Sequence, residues 1–294
     1  MKPFLFIASL CSLTLSVFSQ QRISINAQNS NSSEKKAIDK ASLRCVYQFS
    51  KKKPGAGQPY RSDQMVLEIG ERFSKFYDPA RQQRDSLLND RMKHTDPSTI
   101  KSIHVFRAES AKDLSSMPGT VGSGSQEGES YQIVKDKQTN KQTILDYVSV
   151  IADRFKYTDE PGKLDWKISG ETDTVLSYTC QKASLHFRGR DYVAWFSTDI
   201  PVSDGPWKFN GLPGLILKIE DTEGLFTFKL VGLEQLTAPS PILVDDSRTI
   251  ACTRQEFEKQ KKKQGAGMQI NLTAGVMTIA EMPGKVDLIP MEKE

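Results

Sequence analysis

Reactive side chains are scarce in this chain of 294 residues, which has only three histidines and four cysteines. HExxH, GxSxG, Walker, GxGxxG and CxxC patterns are all missing, which removes the motif-bearing metallohydrolases, nucleotide binders and redox proteins. His94 and His104 lie in a stretch with helical character, and His186 falls on the polar side of an expected strand. Cys180 and His186 share one face of that strand. Six residues at about 3.3 Å each hold them roughly 20 Å apart, too far for a catalytic dyad or a shared metal. A Ser-His-Asp triad needs no fixed spacing, so a hydrolase without a motif stays as a third reading. No catalytic residue, metal ligand or cofactor is assigned, and the sequence points away from an enzyme.

Long apolar runs are also missing after the first twenty residues. Lys2 precedes an apolar run from Phe4 to Phe18, and Val17-Phe18-Ser19 supplies small residues for cleavage after Ser19. This is the layout of a secretory signal peptide over 1–19, and it is too short for a membrane span. Cys11 follows the bulky Leu10 inside the run, which argues against a lipid anchor. The expected mature chain is therefore exported without a membrane span, to the periplasm, the outer-membrane surface or the medium. Charge of one sign is lacking too: 40 Lys and Arg face 36 Asp and Glu. Without a concentrated basic face, a nucleic-acid partner is excluded. Cys45, Cys180 and Cys252 remain after cleavage, and an oxidising compartment allows one disulfide among them, with the pairing open.

What is present is β pattern. Residues 20–41 are rich in Asn, Ser and Gln and read as a flexible leader. A single β-rich domain is expected over 42–294. Leu43, Cys45, Tyr47 and Phe49 alternate, as do Met65, Leu67 and Ile69, giving a first hairpin. Residues 79–130 break the pattern: ARQQRDSLLNDRMKH and TIKSIHVFRAESAKDL are helix candidates, followed by a Gly- and Ser-rich run. They are expected to form a helical or loose insertion. Short strands resume at Tyr131 and continue to about residue 233, with the run QTILDYVSVIADRFKYT, the strands LDWKIS and TVLSYTC, and a central DYVAWFS. A last helix is expected over 253–264, before a loose tail. The fold class is mainly β, a curved antiparallel meander forming a half-barrel or partly open barrel with a few helices.

The densest information lies in 178–220, with YTCQKA, Gly189-Arg190, Ala194-Trp195-Phe196, Gly205-Pro206-Trp207-Lys208-Phe209 and Gly211-Leu212-Pro213-Gly214-Leu215-Ile216. These spaced elements resemble the GLPGLI family of exported bacterial proteins, whose biochemical function is uncharacterised. Gly189, Gly205, Pro206, Gly211, Gly214 and Trp195 are read as structural members of the signature. Pro213 fixes φ and Gly214 is expected to supply the positive φ of a type II turn. Trp195, among apolar neighbours, is expected in the core. Trp207 and Lys208 in a Pro/Gly-locked loop, with Arg190, Leu212 and Pro213, are the candidate ligand-binding rim. The leading function is a non-enzymatic exported binding, carrier or assembly protein for a hydrophobic or peptide-like ligand. A second is an envelope accessory docking to an outer-membrane transporter or secretion component through 79–130.

Overall fold

Side-chain alternation opens the fold. In β1 (Lys36–Lys51), Ala41, Leu43, Cys45, Tyr47 and Phe49 are buried on one face, and the residues between them reach towards water. The structure is a computed structural model and describes residues 35–94, 96–107, 128–147, 154–246, 249–263, 268–273, 276–281 and 290–293. The expected signal peptide, most of the leader and the Gly/Ser-rich run of the insertion lie outside them.

The remaining strands are β2 (Arg61–Ile69), β3 (Phe73–Tyr77), β4 (Ser102–Arg107), β5 (Gln132–Asp136), β6 (Lys141–Asp146), β7 (Arg154–Asp159) and β8 (Lys167–Val175). They continue with β9 (Tyr178–Phe187), β10 (Arg190–Ser197), β11 (Leu215–Asp221), β12 (Phe226–Val244), β13 (Thr249–Ala251), β14 (Met268–Thr273) and β15 (Val276–Glu281). Among the described residues two α-helices accompany them, α1 (Pro79–His94) and α2 (Arg254–Lys263), with a 3-10 turn at Pro97–Thr99. Twelve strands form one sheet in the order β13-β7-β6-β5-β3-β2-β1-β12-β11-β10-β9-β8, which does not close on itself. Its pairings are antiparallel except β13 with β7. The mainly β class and the open, curved antiparallel sheet are as the alternation implies.

The differences have local causes. β1 begins at Lys36, inside the stretch read as leader, because Lys36–Ala41 pairs with Pro241–Val244 and its flanking Ser240. The sheet is not a simple meander, since β1 and β12 are neighbours although most of the chain separates them. Register shifts in that pair at Ala37/Asp39, Ala41/Leu43 and Val46/Tyr47 are the bulges that bend a long ribbon. The second helix candidate of the insertion contains β4, whose Ile103, Val105 and Phe106 favour strand and which pairs in parallel with β15. The tail read as loose supplies β14 and β15, joined to β4 in a three-stranded sheet. Leu176 and Ser177, placed inside a strand by their apolar and β-flanked context, both have positive φ and make the β8–β9 turn.

The core runs under the sheet from β7 to β8 and is rich in rings. Phe49 stacks on Phe228 at 4.1 Å, and Phe76 meets both Phe228 and Tyr47 edge-on. Trp195, expected in the core, is half-buried and packs against its edge, with the Lys182 ammonium over its ring at 6.0 Å. Cys45, Cys180 and Cys252 form no disulfide. Cys45 is on β1, Cys180 on β9 four strands further along, and Cys252 follows the edge strand β13. A bridge needs Cα atoms within about 7 Å.

Candidate functional site

The β10–β11 connection, residues 198–214, is an apolar plug. Trp207, Lys208 and Leu212 are 5%, 3% and 1% exposed, and Phe209 has no exposure at all. Phe209 is ringed by Tyr192 at 4.8 Å, Trp207 at 5.2 Å, Phe187 at 6.0 Å and Trp166 at 6.2 Å. A turn closed by the Phe209 amide on the Pro206 carbonyl forces Trp207 to φ 51°, an uncommon backbone for a bulky residue. Such a conformation persists only where surrounding packing holds it. The rim expected from Trp207, Lys208, Arg190 and Leu212 is therefore interior, because burial of the aromatic pair turns the loop inward. Pro213 alone of these stays exposed.

The hexapeptide works differently from a type II turn. Positive φ belongs to Gly211, at 91°. Gly214 is needed for space: a Cβ there would lie 2.6 Å from the Ser197 carbonyl carbon. Gly205 is similar, with Ile216 2.8 Å from where its Cβ would be. Leu215 and Ile216 start β11, and the Tyr47 hydroxyl donates to the Ile216 carbonyl at 2.7 Å.

The plug reaches strands on the far half of the sheet. Lys135 on β5 donates to Asp204 at 2.7 Å and to the carbonyls of Gly205 at 2.6 Å and Phe209 at 3.1 Å. Gln142 on β6 donates to the Lys208 carbonyl at 2.9 Å. Lys208 itself donates to Asp159 on β7 at 2.8 Å. Strands six places apart in the sheet order are thus tied through one loop, and this requires the curvature. Burial pushes the Lys135 ammonium below the usual lysine value, against the pull of Asp204.

Beside Lys208 lies a cleft filled by residues 290–293 of the same chain. Arg190 donates to the Pro290 carbonyl through Nε at 3.1 Å and Nη2 at 2.9 Å, while its Nη1 holds Asp221 at 3.2 Å and Glu223 at 2.9 Å. The Tyr192 hydroxyl donates to the Met291 carbonyl at 2.8 Å, and the Lys293 amide donates to the Arg188 carbonyl at 2.9 Å. Glu292 accepts from Lys208 at 2.6 Å and Arg254 at 2.7 Å, with Arg188 at 3.6 Å. Arg188 also pairs with Asp159. Burial pushes Asp159 up, but Lys208 and Arg188 outweigh it and hold the carboxyl below its ordinary value. Lys293 pairs with Glu223 at 2.8 Å and helps hold that carboxyl down as well.

A second charged cluster lies near α1 and α2. Glu129 pairs with Lys51 and Arg61, Asp78 accepts the amides of Arg81 and Glu129, and Asp146 accepts from Ser130 and from Lys261 at 2.9 Å. Each of these carboxylates has a partner inside the fold, as buried charges require. Among the described residues, no group of three or more His, Cys, Asp and Glu is placed to hold a metal ion. No described helix is long and apolar enough to cross a membrane.

Sequence reasoning located Arg190 and Lys208 but missed Asp159, Arg188, Tyr192, Arg254 and Glu292. Lys135 was findable: it shares strand parity with the buried Ile133.

The family described as "Protein of unknown function (Porph_ging)" matches residues 187–218, the stretch that runs through β10 and the plug. No curated protein matches the sequence. Two solved structures of PNGF-II, in space groups P21 and C2, are similar at TM-scores of 0.49 and 0.47. They share 14% and 13% identity with this chain over 79% of its length. The chain spans only about a third of their length, 35% and 34%.

Proposed function

We propose that the chain is an exported, non-catalytic binding protein that holds a peptide-like ligand in the cleft of Arg188, Arg190, Tyr192 and Lys208. The observation that carries this reading is the occupant already there. Residues 290–292 are held by side chains aimed at main-chain carbonyls and at one carboxylate. Side-chain donors to main-chain acceptors are how a site grips a peptide whatever its sequence, and a charged pocket then adds selectivity. A peptide-like ligand is favoured over a purely hydrophobic one because Trp207, Phe209 and Leu212 fill the apolar space beneath the signature. Export rests on the charged start, the apolar run Phe4–Phe18 and the small residues before Gln20.

The test is affinity selection. The mature chain and its Glu292→Gln variant are incubated with a library of short peptides, and retained peptides are identified by mass spectrometry. Retention of a defined subset, lost on Tyr192→Phe, is expected. Retention of nothing by either protein refutes the reading.

A further inference from the structure

We infer that residues 290–293 are an internal stand-in for the ligand, and that the cleft accepts in trans a segment presenting two consecutive main-chain carbonyls followed by a glutamate. This deepens the peptide-binding reading and rests on it.

Three features of the cleft support the inference. The first is how the occupant is held. Pro290 and Met291 are gripped through their carbonyls and Lys293 through its amide, so the groups used are common to any peptide. The side chain of Glu292 is the specific element, with Lys208, Arg188 and Arg254 converging on it. Its side chain is only 11% exposed.

The second feature is that each cation of the cleft has a carboxylate partner besides the occupant. Arg190 retains Asp221 and Glu223, Lys208 and Arg188 retain Asp159, and Arg254 retains Glu258 at 3.5 Å. No buried cation is left without a carboxylate when 290–293 leaves, so vacancy is not prohibitive. A strap essential to folding would be wired the other way. Lys135 shows that wiring, with Asp204, Gly205 and Phe209 all drawn from the plug.

The third is charge. With Glu292 withdrawn, Lys208, Arg188 and Arg254 face only the carboxylates of Asp159 and Glu258, three cations to two anions. The position of the Glu292 carboxylate therefore keeps a surplus of positive charge, which selects an anionic side chain at that point. Residues of the same chain act at high effective concentration, so a ligand in trans competes against a tethered rival.

The experiment uses the full mature chain and a fluorescein-labelled peptide of sequence Leu-Ile-Pro-Met-Glu-Lys-Glu, read by fluorescence anisotropy. The wild-type chain should bind it weakly. Glu292→Gln, which removes the rival's carboxylate, should bind at least about tenfold more tightly, since a charge-assisted contact of the occupant is lost. Met291→Ser, which removes the half-buried side chain that packs the rival against the core, should shift binding the same way, so a folding defect peculiar to one variant does not decide the matter. A peptide with Gln for the first Glu should lose the gain. Equal binding by wild type and both variants overturns the stand-in role, and equal binding of the Gln peptide overturns the glutamate requirement. In both cases the peptide-binding reading survives. If no peptide binds to any of the three proteins, that reading falls together with the inference.

Discussion

Lys135 and Lys208 are both buried against the same plug, yet they are wired differently. Lys135 comes from β5 and finds a carboxylate and two carbonyls, all from residues 204–209. Lys208 belongs to the plug and divides its ammonium between Asp159 on β7 and Glu292 near the C-terminus. The first lysine is locked by groups that cannot leave without unfolding the corner. The second shares itself with a segment that can. A buried charge is costly in either place, so the wiring separates what holds the fold from what can exchange. The signature of residues 205–216 belongs to the first kind; the cleft beside it belongs to the second.

The largest effect should come where the plug meets backbone. Gly214→Val drives a side chain into the Ser197 carbonyl, whose position is fixed by β10. The expected loss is at or above the top of the roughly 1–3 kcal/mol typical of overpacking. Gly211→Ala, at φ 91° with only Trp166 nearby at 3.7 Å, should cost about 1 kcal/mol. Urea denaturation of the two variants measures the gap. Similar losses would mean that the turn conformation, and not the close approach, is what the signature protects.

The two lysines can be set against each other directly. Lys135→Met strands Asp204 in the interior and should cost roughly 3–5 kcal/mol. Glu292→Gln leaves Lys208 with Asp159 and should cost about 1–2 kcal/mol. Equal losses would erase the distinction between a locked and an exchangeable contact.

Acid sharpens it further. Asp159 has a folded value below the ordinary carboxylate value, so its contribution is fully present above about pH 4 and is lost as pH falls through the lower folded value. The stability gap between wild type and Asp159→Asn should be constant near neutrality and shrink below about pH 4. A gap that widens in acid would show that Asp159 is not held as an anion by Lys208 and Arg188.

How much of this was legible follows from where each contact's partner lies. β2 and α2 repeat with short periods, and the sequence places them within a few residues of where they stand, as it does the C-terminal part of β1 from Leu43 to Phe49. The role of Leu215 and Ile216 in opening a strand is local too. β4 is not, because SIHVFR fits a strand or a helix until β15 arrives from the far end of the chain to pair with it. The inward turn of Trp207 is set by Phe187 and Phe209, which the Pro-Trp-Lys string does not reveal. The cleft is the least legible part. Arg190 meets Pro290 a hundred residues away, and Pro-Met-Glu-Lys has neither period nor motif to announce it.

The smallest effect should come from the pair that looks most like chemistry. His186 and Asp191 face each other across the β9–β10 hairpin at 2.7 Å, a distance that in a cleft would suggest a proton relay. Both side chains are about two-thirds exposed, at 67% and 66%. Water screens such a pair, and exposed ion pairs contribute roughly 0.2–1 kcal/mol. The hairpin does not need it, since backbone pairing from Arg190 with Phe187 to Phe196 with Gln181 sets the register. His186→Ala should therefore leave the melting temperature within a few degrees of wild type and peptide retention unchanged. A loss of retention with the fold intact would mean that the binding surface extends across β9 and β10, well beyond the cleft at residues 290–293.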